Sequence, residues 1–185
     1  MLAAAPPYAI VSSDLVRALA TAQAVGTRCG VPVTADERLR EISLGSWEGL
    51  TGDEARERYP DEHASWVAGE DARRGGGETY REAAARAVAC IRAAVEAVPA
   101  SEALLVVTHG GTARGALGEL LGLDPAEWWR FAPLGNTCWS VLVEGQRGWR
   151  LERHNAALGP LVGAATGAHD LGARPVGSPD VEPVK

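Results

Sequence analysis

Residues 104–117 read Leu-Leu-Val-Val-Thr-His-Gly-Gly-Thr-Ala-Arg-Gly-Ala-Leu, and they limit what this chain can fold into more than any other stretch. Leu104 to Val107 is a short continuous apolar run, the pattern of a strand buried on both faces. His109 and two glycines follow, and then Ala113, Leu117, Leu120 and Leu121 recur at helical spacing. A strand that turns at once into a helix through His-Gly-Gly puts an imidazole at the carboxyl edge of a sheet, where open α/β folds bind ligands. The glycines let a ligand approach the backbone, and the first amides of the new helix favour an anion. A histidine on a loop after a strand is common. Its coincidence with the glycines and the helix start makes His109 and Gly110 candidate site residues.

One chain of 185 residues, 46% of them hydrophobic, can bury the core of one ordinary domain. A formal net charge of -6 argues against nucleic acid or an anionic membrane as partner. No apolar run is long enough to span a membrane, and Met1-Leu2-Ala3-Ala4-Ala5 lacks the charged start of a signal peptide. Cys29, Cys90 and Cys138 are odd in number and widely spaced, which suggests neither a disulfide framework nor a zinc site. They read as reduced packing residues of a cytoplasmic protein.

From the start, Met1 to Ala5 resembles the last turn of a helix, ended by Pro6-Pro7, and Tyr8 to Ser12 reads as a strand. Ser12-Ser13-Asp14 offers N-cap chemistry to a helix whose apolar stripe is Leu15, Ala18, Leu19, Ala22 and Val25. Arg17 falls in its first turn, where a cation is electrostatically unfavourable unless an anion binds there. A solvated surface arginine is the plainer reading of that residue alone. Val31 to Thr34 reads as an edge strand, and Leu39 to Leu50 as a loop carrying Glu41, Glu48, two glycines and Trp47. Spacing leaves both acids open as loop charges or general acids. A helix over Thr51–Tyr59 is stopped by Pro60, Trp66 lies in a small helical excursion, and Arg73 to Glu78 reads as a flexible turn, either a plain linker or the lining of a site mouth. Tyr80, Ala84, Ala87, Val88, Ile91, Val95 and Val98 mark one face of a long helix ending before Pro99. A helical turn starts at Asp124-Pro125, and Cys138 to Val143 pairs through Gly145–Gly148 with Trp149 to His154 as a hairpin. Residues 1–156 read as one α/β domain and 157–185 as a disordered tail.

Taken in order, several motifs resemble those of the histidine phosphatase superfamily, in its phosphoglycerate-mutase-like branch. Ser12-Ser13-Asp14-Leu15 with Arg17-Ala18 and Thr21-Ala22 is similar to its second motif. Leu39-Arg40-Glu41 with Gly45 and Trp47-Glu48-Gly49 is similar to its acid loop, and Thr108-His109-Gly110-Gly111 to its second histidine motif. Gly135-Asn136-Thr137 is similar to the turn that follows, so the likeness runs from residue 12 to 137. The Trp149-Arg150-Leu151 hairpin and Asn155-Ala156 are similar, less closely, to the glucosyl-3-phosphoglycerate phosphatase members.

The resemblance implies a three-layer α/β/α sandwich with a mainly parallel central sheet. It implies a metal-independent phosphomonoesterase, with no cofactor, acting on a small phosphorylated metabolite such as a phosphoglycerate or sugar phosphate through a phosphohistidine. Arg17, His109 and Gly110 would hold the phosphoryl group, His109 would stabilise the transition state, and Glu41 would serve as general acid and base. Glu48 then belongs to loop structure. The family's first strand ends in an Arg-His-Gly triplet whose His is the nucleophile, and these 185 residues contain no such triplet. The expectation is a chain that lacks that strand and is inactive as written. The alternatives are a catalytically dead relative with at most weak phosphate binding, and a cofactor-dependent phosphoglycerate mutase. A homodimer is compatible with all three.

Overall fold

The structure is a computed structural model, and it describes residues 5–157 and 175–176. Strand β1 (Ala9–Ser12) lies between β2 (Val33–Ala35) and β4 (Leu104–Val107), and it is parallel to both. Ser12 stands opposite Ala35 on one side and Val107 on the other, so the carboxyl ends of all three strands share one edge. Successive residues of a strand face opposite sides of its sheet. Ile10 points toward helix α1 (Val16–Cys29), where a Cβ on Gly26 would lie 3.7 Å from its Cδ1. Val11 joins the buried cluster built with α4 (Tyr80–Glu96) and α5 (Gly110–Leu120), which includes Ala87, Val88, Ile91, Ala116 and Leu120. Helices therefore cover both faces of a parallel sheet.

The sheet does not run through the whole molecule. Strands β5 (Trp139–Gly145) and β6 (Gly148–Ala156) form a separate antiparallel hairpin, whose Leu142 and Trp149 pack on the same core. Among the described residues β4 pairs with β1 alone. That explains one correction to the sequence reading. Leu104 to Val107 are half-buried, not buried on both faces, because β4 is an edge strand here.

A second cluster forms beside the first. Its centre is Trp47, which is 0% exposed and packs with Ile42, Leu44, Ala55 and Ala83. Tyr59, His63 and Trp66 surround its ring at centroid distances of 6.0–6.1 Å. The helix expected over 51–59 is α2 (Gly52–Arg58), started by a capping box between Thr51 and Glu54. Pro60 ends it and also opens α3 (Pro60–Val67), since proline at the first helical position gives up no bond that the helix needs. The strand expected at 31–34 is shifted to Val33–Ala35 because Val31 donates instead to Gly26 O at the end of α1. Residues 1–4, and most of the tail expected from 157 on, lie outside the described residues. Within that tail Pro175–Val176 (β7) pairs antiparallel with β3 (Leu50–Thr51), where composition predicts no structure.

The segment Arg73–Glu78 is not a plain linker. Gly75 N donates to Glu62 at 2.7 Å, and Glu78 N donates to Ser43 O at 2.8 Å, so the turn is docked against the acid loop. The contact is too close for side chains. A Cβ on Gly77 would lie 2.2 Å from Ser43 O, and one on Gly45, whose φ is +53°, would lie 2.0 Å from Gly75 O. Backbone opposes backbone there, so neither neighbour can rotate away. Gly77→Ala is expected to destabilise the fold by about 1–3 kcal/mol, as overpacking does. Urea unfolding checks this, and a loss of under a few tenths of a kcal/mol would show that the turn gives way freely.

Candidate active site

The parallel sheet brings two of the candidate segments together. Ser13 N donates to Val107 O at 2.8 Å, so the turn after β1 lies beside the residues that follow β4. The helix after β1 is not capped as its sequence suggests. Its N-cap residue is Leu15, with no side-chain cap, and Ser12 and Ser13 are fully buried. Ser13 Oγ accepts from Leu15 N and shares a 2.9 Å hydrogen bond with His109 Nε2. The serine thus orients the imidazole, a role that no local signal revealed.

His109 is the N-cap residue of α5 and is 8% exposed. Burial, the largest influence, pushes its pKa down to about 4. The Glu41 carboxylate opposes that shift, the Arg17 and Arg86 guanidiniums add to it, and Asp14 opposes it. The ring is therefore neutral near pH 7, and the charges that act on it include both Arg17 and Glu41. Arg17 lies in the first turn of α1 with an exposed side chain. Gly110 opens α5, and a Cβ there would meet nothing within 4 Å, so the approach to its backbone is open.

Glu41 takes the place that sequence reasoning gave to a ligand. Its carboxylate accepts from Gly111 N at 3.1 Å and Thr112 N at 2.9 Å, as well as from Ile42 N at 3.0 Å. Two of the α5 amides expected to attract an anion thus serve an internal carboxylate. Glu48 stays within its loop, accepting from Ser43 Oγ and Leu44 N.

Loop residues 39–41 are fixed from three sides. Thr108 Oγ1 donates to Leu39 O and Thr112 Oγ1 to Arg40 O. Arg40 forms a two-pronged pair with Asp14, next to Ser13, and that pairing holds the Asp14 carboxyl below its ordinary pKa. Behind the loop, Arg86 and Glu78 hold its backbone. A cleft of about 320 Å³ opens there, lined by Glu37, Arg38, Arg40, Glu41, Ser43, Glu78 and Arg86. Its three arginines are each paired with a carboxylate. Arg17 and His109 are not among its walls. Glu41 thus bonds to amides in the first turn of α5, the helix that His109 caps, and the Arg17 guanidinium adds to the lowering of the imidazole pKa.

Comparison with known proteins agrees with this architecture. The family model described as histidine phosphatase superfamily (branch 1) matches residues 1–157. A glucosyl-3-phosphoglycerate phosphatase of Mycolicibacterium vanbaalenii is 36% identical over 176 residues, covering 85% of this chain and 77% of the relative. A 2,3-bisphosphoglycerate-dependent phosphoglycerate mutase of Methylobacterium radiotolerans is 35% identical over 121 residues, 63% of this chain and 57% of the mutase. The solved structure of a mycobacterial glucosyl-3-phosphoglycerate phosphatase with inorganic phosphate superposes with a TM-score of 0.76 at 33% identity, covering 82% of this chain and 78% of that one.

Proposed function

This chain belongs to the histidine phosphatase superfamily, and we propose that its site binds the phosphate group of a small phosphorylated metabolite and serves phosphomonoester hydrolysis. The observation that carries this reading is the meeting of His109 and Glu41 at the carboxyl edge of the sheet, with the Arg17 charge acting on the same imidazole. Arg17 and His109 are assigned to the phosphoryl oxygens with the Gly110 amide, and Glu41 to proton transfer at the ester oxygen. A phosphoglycerate ester carrying a sugar is the substrate class favoured, because the glucosyl-3-phosphoglycerate phosphatase aligns over more of this chain than the mutase does. The setting proposed is the cytoplasm. No helix among the described residues is long and apolar enough to cross a membrane.

Residues 1–185 on their own are proposed to hold and polarise an ester without an attacking imidazole. Binding and turnover are therefore tested separately. Titrating inorganic phosphate into the protein should shift the His109 ring and Gly110 amide NMR signals saturably. Arg17→Ala should weaken that binding about tenfold or more, the effect of losing one charge-assisted hydrogen bond. Signals that do not move, or an affinity untouched by Arg17→Ala, would defeat the assignment.

A further inference from the structure

We infer that Arg86 is a positioning residue that sets where the Glu41 carboxylate sits, with Glu78 as its partner. A guanidinium has five N–H donors in a rigid planar fork. All five are used here. Nη1 donates to Arg38 O at 2.7 Å and to Arg40 O at 2.8 Å. Nη2 donates to Glu41 O at 3.1 Å and to Glu78 Oε2 at 2.7 Å, and Nε donates to Glu78 Oε1 at 2.7 Å. Glu78 Oε2 also accepts from Ser43 N at 3.0 Å. The backbone on both sides of Glu41 is thereby fastened to one point on α4. Carbonyls 38, 40 and 41 converge on Arg86, and amide 43 on Glu78.

The segment gains these bonds in place of a strand ladder, since residues 40–44 form no helix or strand. These exposed and part-buried carbonyls have no ladder partner, and a single planar cation bonds all three at once. Fixing the backbone at residue 41 fixes the direction of its side chain. The carboxylate then reaches the Gly111 and Thr112 amides on α5, next to His109. Arg86 touches no reacting group. It acts through Glu41, and lysine cannot stand in for it, because a lysine ammonium has three donors from one point and cannot reach all five acceptors.

The inference rests on Glu41 being the acid of the proposed site, and its test is independent of turnover. In wild-type protein at pH 7, the Gly111 and Thr112 amide NMR signals should be displaced downfield, as amides that donate to a carboxylate are. Glu41→Gln should remove most of that displacement, and its persistence would overturn the inference. Arg86→Lys keeps the charge but loses the fork. It should also remove most of the displacement while the Ala87 and Ala116 methyl signals show a folded core. Unchanged Gly111 and Thr112 signals in Arg86→Lys overturn the inference. Should that variant not fold, Glu78→Gln replaces it. This change breaks the ion pair and leaves the three carbonyls, and it should also reduce the displacement, unchanged signals again being decisive against. Failure of the functional reading looks different: inorganic phosphate would then leave the wild-type His109 and Gly110 signals unmoved, whatever Arg86→Lys does.

Discussion

A polypeptide of residues 1–185 is expected to release p-nitrophenol from p-nitrophenyl phosphate no faster than buffer does. Hydrolysis through a phosphohistidine needs an imidazole nitrogen that can reach phosphorus, besides the groups that hold the phosphoryl oxygens. The histidines of the described residues are otherwise engaged. His63 stacks on Trp47 at 6.1 Å and meets the edge of Trp66 in the second core cluster. His154 is bonded at both ring nitrogens, Nδ1 with Ser140 Oγ and Nε2 with Ala132 O. His109 is buried and tied to Ser13, in the position assigned to transition-state stabilisation. On the roles proposed above, Arg17, Glu41 and His109 position and polarise an ester, and none of the three is assigned to the covalent intermediate. Clear turnover that vanishes in His109→Ala would show that His109 itself attacks and that its assigned role is wrong.

The parts of this site that were legible in the sequence are those whose signal is local. Leu104–Leu117 declares a strand, a turn and a helix by its apolar pattern and its glycines, and the structure has β4 and α5 there. The parts that were not legible owe their character to distant partners. Arg86 looks like one more charged residue on the outer face of an amphipathic helix, and its backbone acceptors lie 45–48 residues away in sequence. Gly75-Gly76-Gly77 suggests slack, yet the chain there is held by Glu62 and the acid loop. Ser12 and Ser13 have the composition of a helix cap but are drawn inside, because parallel pairing on both sides of β1 buries its carboxyl end. The same distance in sequence explains why the α5 amides seemed available to a ligand. Glu41, 70 residues upstream of Gly111, occupies two of them.

The stability of the fold is expected to fall by roughly 2–3 kcal/mol as pH drops from about 6.5 to about 4, with His109 as the cause. The sign follows from the direction of its shift. Unfolded, the imidazole titrates near its ordinary value of 6.5; folded, burial and the guanidiniums of Arg17 and Arg86 hold it to about 4. Between those values the unfolded chain binds a proton that the native state refuses, so unfolding gains on acidification. Above about 6.5 the penalty is absent, and below about 4 the native ring is protonated too and no further loss accrues from this group. The carboxylates with depressed pKa act in a lower window. Asp36, held by Arg38 to about 2, and Asp14, held down by Arg40, lose their contributions below their ordinary value of 3.8, and Glu54, Glu78 and Glu82, all held down by hydrogen bonds, lose theirs as pH falls through about 4.5. Urea unfolding at pH 7 and at about pH 5 separates the two effects. Wild-type protein should lose most of that stability over the interval, whereas His109→Asn should lose almost none. An equal loss in both proteins would place the acid sensitivity elsewhere. The same neutrality bears on the chemistry, since a neutral imidazole donates from one nitrogen and accepts at the other. Which nitrogen faces a phosphate is set by the bond between Nε2 and Ser13, so Ser13→Ala should change the affinity for inorganic phosphate as well as the titration of His109.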